Sequence, residues 1–211
     1  MDTPMTTTFS NWAGSVTTKP QEFVQPSRID EIPGIISRSR SVRAVGAGHS
    51  FTPIAAGEET MLNLDHVSGL VSVDKQRKRV RFLAGTRLRD VPKLLRPFGL
   101  ALANQGDVDP QSLAGAISTS THGTGINYTG FAGTVTGLTL IDADGNTRSY
   151  SIDEDPELLR LVVVSVGALG VVVEVEMQCV DAFDLLAEES GIAFDELMDN
   201  WEELSRSVDH F

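Results

Sequence analysis

The 211-residue sequence holds a single cysteine, Cys179. That excludes an internal disulfide framework and any multi-cysteine metal site. It fits a reducing compartment. Basic residues are also in short supply: 17 against 29 acidic ones leave a formal charge of −12. Such a field repels phosphate backbones, which excludes nucleic acid as a partner and means that an anionic ligand must be held by local donors. Long apolar runs are missing too. The most apolar stretch, Leu161 to Val173, is too short to span a bilayer and contains Gly167 and Gly170. The opening MDTPMTTTFSNWAGS lacks a basic patch followed by an apolar run, so no secretory leader is expected. No internal repeat, low-complexity linker or charge block interrupts the chain. A cytoplasmic protein without a membrane span is expected, with peripheral membrane association left open.

What is present is an ordinary globular composition, 41 % apolar, in a chain long enough to bury a core. Phe23–Gln25 reads as a strand, followed by a helix of about ten residues capped by Ser27 and ending near Ser37. Val42–Val45 and the segment MLNL at 61–64 are further strands. Leu70–Val73 and Val80–Leu83 flank the polar run DKQRKR, a hairpin signal. Leu88, Val91, Leu95 and Phe98 recur at helical spacing after a candidate cap at Thr86, with Pro92 interrupting. Val135–Ile141 and Thr147–Ser151 pair across the turn DADGN. A helix follows over 155–165, then a break at GALG and an alternating strand over 171–180. Short strands with a crossover helix, then hairpins, argue for two α+β lobes side by side.

Two segments carry the chemistry. One is Gly46-Ala47-Gly48-His49-Ser50-Phe51; the other runs from Gly115 to Gly125 as GAISTSTHGTG. Each combines glycines, which let backbone N–H groups approach a ligand, with small hydroxyl side chains. Successive N–H groups in such turns form anion-binding concavities, and two of them could grip a pyrophosphate from both sides. Gly46-x-Gly48 lacks the third glycine of a dinucleotide fingerprint and no periodic helix follows, which leaves an NAD-dependent dehydrogenase as a poor alternative. No Gly-Lys-Ser/Thr follows either loop, which excludes a P-loop.

The runs VRAVGAGHSFTPIA, NQGDVDPQSLAGAISTSTHGTG and VSVGALGVVVEVEM resemble the aldonolactone oxidoreductases, flavoenzymes of the vanillyl-alcohol-oxidase (PCMH) type. The resemblance covers about residues 10–180. It implies an α+β FAD-binding domain of two lobes, about 20–70 and 71–180, with FAD extended between them. It also implies that His49 is bonded to the flavin 8α carbon. Gly46, Ala47, Gly48, Ser50 and Phe51 would line the cofactor on one side. Ser112, Gly115, Ala116, Thr119, Thr121, His122 and Gly123 would line it on the other. Gly170 and Val172 would offer backbone groups. Cys179 falls in the alternating strand, outside the glycine-rich segment, so one covalent bond is expected and not two. Gly106 and Asp107 would lie toward the substrate. Gly106 leans toward an oxidase, and Asp107 either touches substrate hydroxyls or faces solvent.

By the same resemblance the substrate is a sugar lactone or polyol, and oxygen, a quinone or a cytochrome takes the electrons. The substrate is held mainly by a C-terminal domain bearing a His-Trp motif with a lysine shortly after it. No match to that motif occurs here. Residues 181–211 look like the start of such a domain, with Phe194, Leu197, Met198, Trp201 and Leu204 as an apolar helical stripe that invites self-association. A flavin-binding module without turnover of its own is the alternative reading.

Overall fold

The computed structural model describes residues 7–211. The expectation about a leader rests partly on residues 1–6, which lie outside the described residues. A short hairpin comes first, β1 (Phe9–Ser10) with β2 (Thr17–Thr18). The first lobe is a parallel three-stranded sheet of β3 (Glu22–Val24), β4 (Val42–Val45) and β5 (Thr60–Asn63), in the order β3-β5-β4. Parallel strands need crossover connections, and α1 (Ile32–Arg38) lies in the one that leads from β3 past the central position to β4. Ile32 and Ile35 on α1 are buried, and all four residues of β5 are buried as befits a central strand.

Two helix starts differ from the sequence reading. Ser27 caps nothing: a 3-10 turn at Ile29–Glu31 precedes α1, and neither start has a side-chain cap. Thr86 is also no cap. Its hydroxyl donates to the Leu83 carbonyl, and its oxygen accepts from the Gly69 N–H at 2.9 Å, so it ties down the end of a strand. Pro92 does not interrupt α2 (Val91–Leu95); it lies in that helix's first turn, where no N–H is needed. The helix is flanked by 3-10 turns at Leu88–Asp90 and Arg96–Phe98.

The second lobe is an antiparallel sheet in the order β10-β9-β11-β7-β6. Its strands are β6 (Leu70–Asp74), β7 (Arg79–Leu83), β9 (Val135–Ile141), β10 (Thr147–Ser151) and β11 (Val171–Gln178). A two-stranded pair of β8 (Leu100–Ala101) and β12 (Val180–Asp181) closes one end. The alternation in β11 is explained by its faces. Val173, Val175 and Met177 enter the core, while Glu174 and Glu176 turn outward to Arg81 at 3.3 and 3.2 Å. Short helices cover the inner face: α3 (Leu113–Ser118), α4 (Phe131–Thr134) and α5 (Pro156–Val163). Asp155 caps α5 by accepting the Leu158 N–H at 2.9 Å.

The lobes are fastened together next to the site. Gly85 N–H donates to the Val67 carbonyl, and Arg87 pairs with Asp65 while donating to the Pro110 carbonyl at 2.8 Å. A Cβ on Gly85 would collide with the Leu64 carbonyl, so only glycine permits this approach. The last helix, α6 (Phe194–Ser207), buries no residue; Phe194, Met198 and Trp201 stand in solvent. Among the described residues no helix is long and apolar enough to cross a membrane.

Candidate functional site

A cleft of about 440 Å3 lies between the lobes, a size typical of small-molecule sites. Strand β4 ends at Val45 and delivers the loop Gly46–Phe51 to one wall. The turn after β7 and α3 form the opposite wall, because the α3 entry is hung on the strand end: Leu113 N–H donates to Thr86 and Ala114 N–H to Ala84. Ser112 caps α3 by accepting the Gly115 N–H at 3.3 Å. The walls touch where a Cβ on Gly46 would run into the Ser112 hydroxyl.

All six residues of the first loop line this cleft, as do Ser112, Gly115, Thr119, Gly170 and Val172. Four residues from the same expectation do not. Ala116 is fully buried and faces the core; its N–H is bonded to Ser112 and its carbonyl accepts from Thr121. Thr121, His122 and Gly123 run on past the cleft and pack along residues 104–106. A Cβ on Gly106 would come 3.0 Å from the His122 carbonyl, and one on Gly123 would strike the Gln105 carbonyl. Gly106 and Asp107 belong to this second cluster, and the Asp107 side chain is exposed. Gly115 has no positive φ, because it lies inside α3. Among the described residues lining the cleft, positive φ values fall at Gly48 (68°), Val166 (46°), Gly167 (81°) and Gly170 (145°).

The site has the features that an extended anionic cofactor requires. The N–H groups of Gly48, His49, Ser50 and Phe51 have no acceptor among the described residues, although the loop is not fully exposed. Buried or half-buried donors without partners are costly unless a ligand takes them. Gln111 lines the cleft and gives its Nε2 to Thr121 Oγ1 at 3.3 Å, while its Oε1 is buried without a donor. An acceptor so placed suits a ligand N–H or hydroxyl. Among the described residues lining the cleft, Asp65 is the only acidic, lysine or arginine side chain, so the attraction for an anion comes from dipoles. This is how a chain of charge −12 can hold phosphate.

A second cavity of about 650 Å3 adjoins the cleft and shares Ala47, His49, Asp65 and Gly85 with it. His49 therefore stands where the two meet, reachable from both. Gly85 and Gln111 escaped the sequence reading. Gln111 lies in the same run as Ser112, and its signal was a polar residue leading into a small-residue helix. Gly85 carried only the cue of a glycine directly after a strand. Cys179, 2 % exposed, lines neither cavity, and burial pushes its thiol up to about 11.

A family model described as an FAD binding domain matches residues 20–151. L-gulono-1,4-lactone dehydrogenase of Mycobacterium tuberculosis is 35 % identical over 211 residues, 98 % of this chain and 49 % of that protein. L-gulonolactone oxidase of Mus musculus is 32 % identical, covering 96 % of this chain and 47 % of its own length. D-arabinono-1,4-lactone oxidase of Candida glabrata is 31 % identical, with 93 % and 39 % covered. The chain thus spans about half the length, or less, of these relatives. Among solved structures, a His121Ala mutant of cholesterol oxidase from Brevibacterium sterolicum superposes with a TM-score of 0.72 at 18 % identity, over 84 % of this chain and 37 % of that one. Alkyldihydroxyacetonephosphate synthase gives 0.70 at 16 %, over 80 % and 33 %. These two likenesses speak for the fold alone.

Proposed function

The chain belongs to the family of FAD binding domains, and on that premise we propose that it is the flavin-holding part of an oxidoreductase acting on a CH–OH group. The names of its relatives support a sugar-derived aldonolactone as substrate, with a polyol as the related choice. The observation that carries the reading is the row of unpartnered N–H groups from Gly48 to Phe51, which includes His49 at the junction of the two cavities. Bound FAD supplies the hydride acceptor.

Gly46 to Phe51 would hold the cofactor on one side, with Ser112, Gly115 and Thr119 opposite and Gly170 and Val172 beneath. We assign His49 to covalent attachment and Gly106 and Asp107 to the substrate side. His49 would hold the flavin by giving up its N–H proton and bonding through that nitrogen, a net two-electron oxidation whose electrons would pass to the electron acceptor. Oxygen, a quinone or a cytochrome fits that role.

Residues 10–180 form the flavin unit in this reading, and residues 181–211 begin a substrate-binding unit. The relatives are about twice as long as this chain, which favours a second reading: a flavin-binding module that needs further protein for turnover. The exposed Phe194, Met198 and Trp201 would then seek a cover, and self-association is one. Trp201→Lys should abolish any dimer seen in sedimentation of the 211-residue chain; an unchanged dimer means another surface is used. A cytoplasmic place, with or without contact at a membrane surface, completes the proposal.

The test is made on protein from the natural reading frame. Yellow colour should stay with the acid-precipitated wild type, wash out completely from His49→Ala, and be unchanged in Cys179→Ser. Colour washing out of the wild type sinks the His49 bond, and a protein without flavin absorbance sinks the whole reading. Gulono- and arabinono-lactone with an artificial dye as acceptor then test the substrate class. Robust turnover by the 211-residue chain alone would overturn the second reading.

A further inference from the structure

The hairpin β1–β2 joins neither main sheet. Its closest ties are to the first glycine-rich loop. Trp12 N–H donates to the Gly48 carbonyl at 2.8 Å. Asn11, only 6 % exposed, donates from Nδ2 to the Ser50 carbonyl at 3.0 Å and to Ser15 Oγ at 3.1 Å, and its Oδ1 accepts the Val16 N–H at 3.0 Å. A Cβ on Gly48 would come 3.2 Å from the Phe9 ring. These contacts lay the Trp12 indole on the His49 imidazole, with ring centroids 5.4 Å apart and planes 18° from parallel. Phe51 meets the same indole edge-on at 6.3 Å.

Trp12 is 67 % exposed, so it has little to do with the core. A large aromatic side chain left in solvent yet aligned with one imidazole has a local purpose. Among the described residues neither ring nitrogen of His49 has a hydrogen-bond partner. His122 Nδ1, by contrast, lies 2.9 Å from the Gly123 carbonyl, and His210 Nδ1 lies 3.1 Å from the Thr124 carbonyl. A histidine anchored through a nitrogen has that nitrogen occupied. One held by its face has a fixed ring plane and both nitrogens free to react.

We propose that the hairpin is a clasp on the first loop and that Trp12 is a positioning residue, setting the plane of the His49 imidazole for bonding to the flavin. The inference rests on the reading of His49 as the attachment residue. Trp12 acts through His49 and need not touch the cofactor. Fixing the ring removes rotations that a free histidine would have to give up on the way to bond formation.

The experiment uses protein from the natural reading frame, made without flavin in riboflavin-starved cells and mixed with saturating FAD. Acid-stable flavin is followed with time, beside FAD affinity. Trp12→Leu keeps bulk but not the flat face. It should attach flavin about 10- to 100-fold more slowly, the cost of a misplaced reacting group, at unchanged affinity. Trp12→Phe restores a flat face and should attach at close to the wild-type rate. In the flavin-free protein, the His49 ring protons should show an upfield ring-current shift that Trp12→Leu removes. Attachment by Trp12→Leu at the wild-type rate overturns the inference, as does equal slowing in both variants or a parallel loss of affinity. If the wild type itself releases all its flavin in acid, the reading of His49 has failed. If it keeps its flavin and the Leu variant matches it, the inference alone has failed.

Discussion

The loop Gly46–Phe51 is held from outside. The hairpin grips its Gly48 and Ser50 carbonyls, and Asn63 donates from Nδ2 to the Val45 carbonyl at 3.3 Å just before it. With the Gly48 and Ser50 carbonyls taken by the hairpin, the N–H groups from Gly48 to Phe51 have no acceptor among the described residues. The segment Ser112–Thr121 is hung on the end of β7 at its start and is otherwise held mainly by its own helix. It folds into α3, where Ser112 accepts from Gly115, Thr119 donates back to the Gly115 carbonyl at 2.9 Å and Thr121 closes onto Ala116. Both segments are rich in glycine and hydroxyls, yet the first offers bare backbone and the second offers mainly side chains on a helix. Similar composition therefore yields different donors, and the difference lies in which neighbour satisfies the carbonyls.

Valine substitutions should bring out this difference most strongly. At Gly46 a branched side chain meets the Ser112 hydroxyl at the point where the walls touch, and the loop cannot retreat because the hairpin and Asn63 hold it. Gly46→Val should weaken FAD binding at least about tenfold, or ~1.4 kcal/mol. At Gly115 the new Cβ lies 3.0 Å from the same hydroxyl, which can rotate away, and helical φ/ψ tolerates the branch. Gly115→Val should lose less affinity than Gly46→Val in an equilibrium titration. Equal losses would mean that both loops present backbone in the same way.

A matched pair of side-chain deletions gives the smaller effect. Ser112→Ala removes a cap from a helix packed in the core, at a cost of about 1 kcal/mol. That should lower the thermal midpoint by roughly 2–4 °C in a domain of this size. Asn11→Ala releases a peripheral hairpin, which opens locally before the body unfolds. It should shift the midpoint less than Ser112→Ala while speeding hydrogen exchange at the Trp12 and Val16 amides. A larger midpoint shift from Asn11→Ala would show that the clasp supports the whole fold and not only the first loop.

Much of this was legible beforehand. Period-two alternation marked β11, the polar run DKQRKR marked the β6–β7 hairpin, the DADGN turn marked the β9–β10 hairpin, and the two glycine-rich loops pointed to a ligand with phosphate. The misreadings share one cause. Ser27 and Thr86 have the chemistry of caps, but a hydroxyl bonds to whatever backbone group the fold brings nearest, and for Thr86 that was Leu83 and Gly69. Ala116 and Gly123 share a motif with Ser112 and Gly115. The helical turn at α3 sends Ala116 to the core, and the chain then carries Gly123 past the cleft.

By itself the sequence pointed to two α+β lobes and two glycine-rich loops, because periodicity and glycine spacing are local properties of the chain, and the resemblance of its motifs pointed to the family and to His49 as a candidate. The tertiary structure decided which members of each motif reach the cleft, that Gln111 and Gly85 join them, and that Trp12 lies on His49. Those facts depend on where distant segments meet. Trp12 and His49 are separated along the chain by the second hairpin strand, two strands of the first sheet and a helix, and no local pattern records that packing returns the hairpin to the loop.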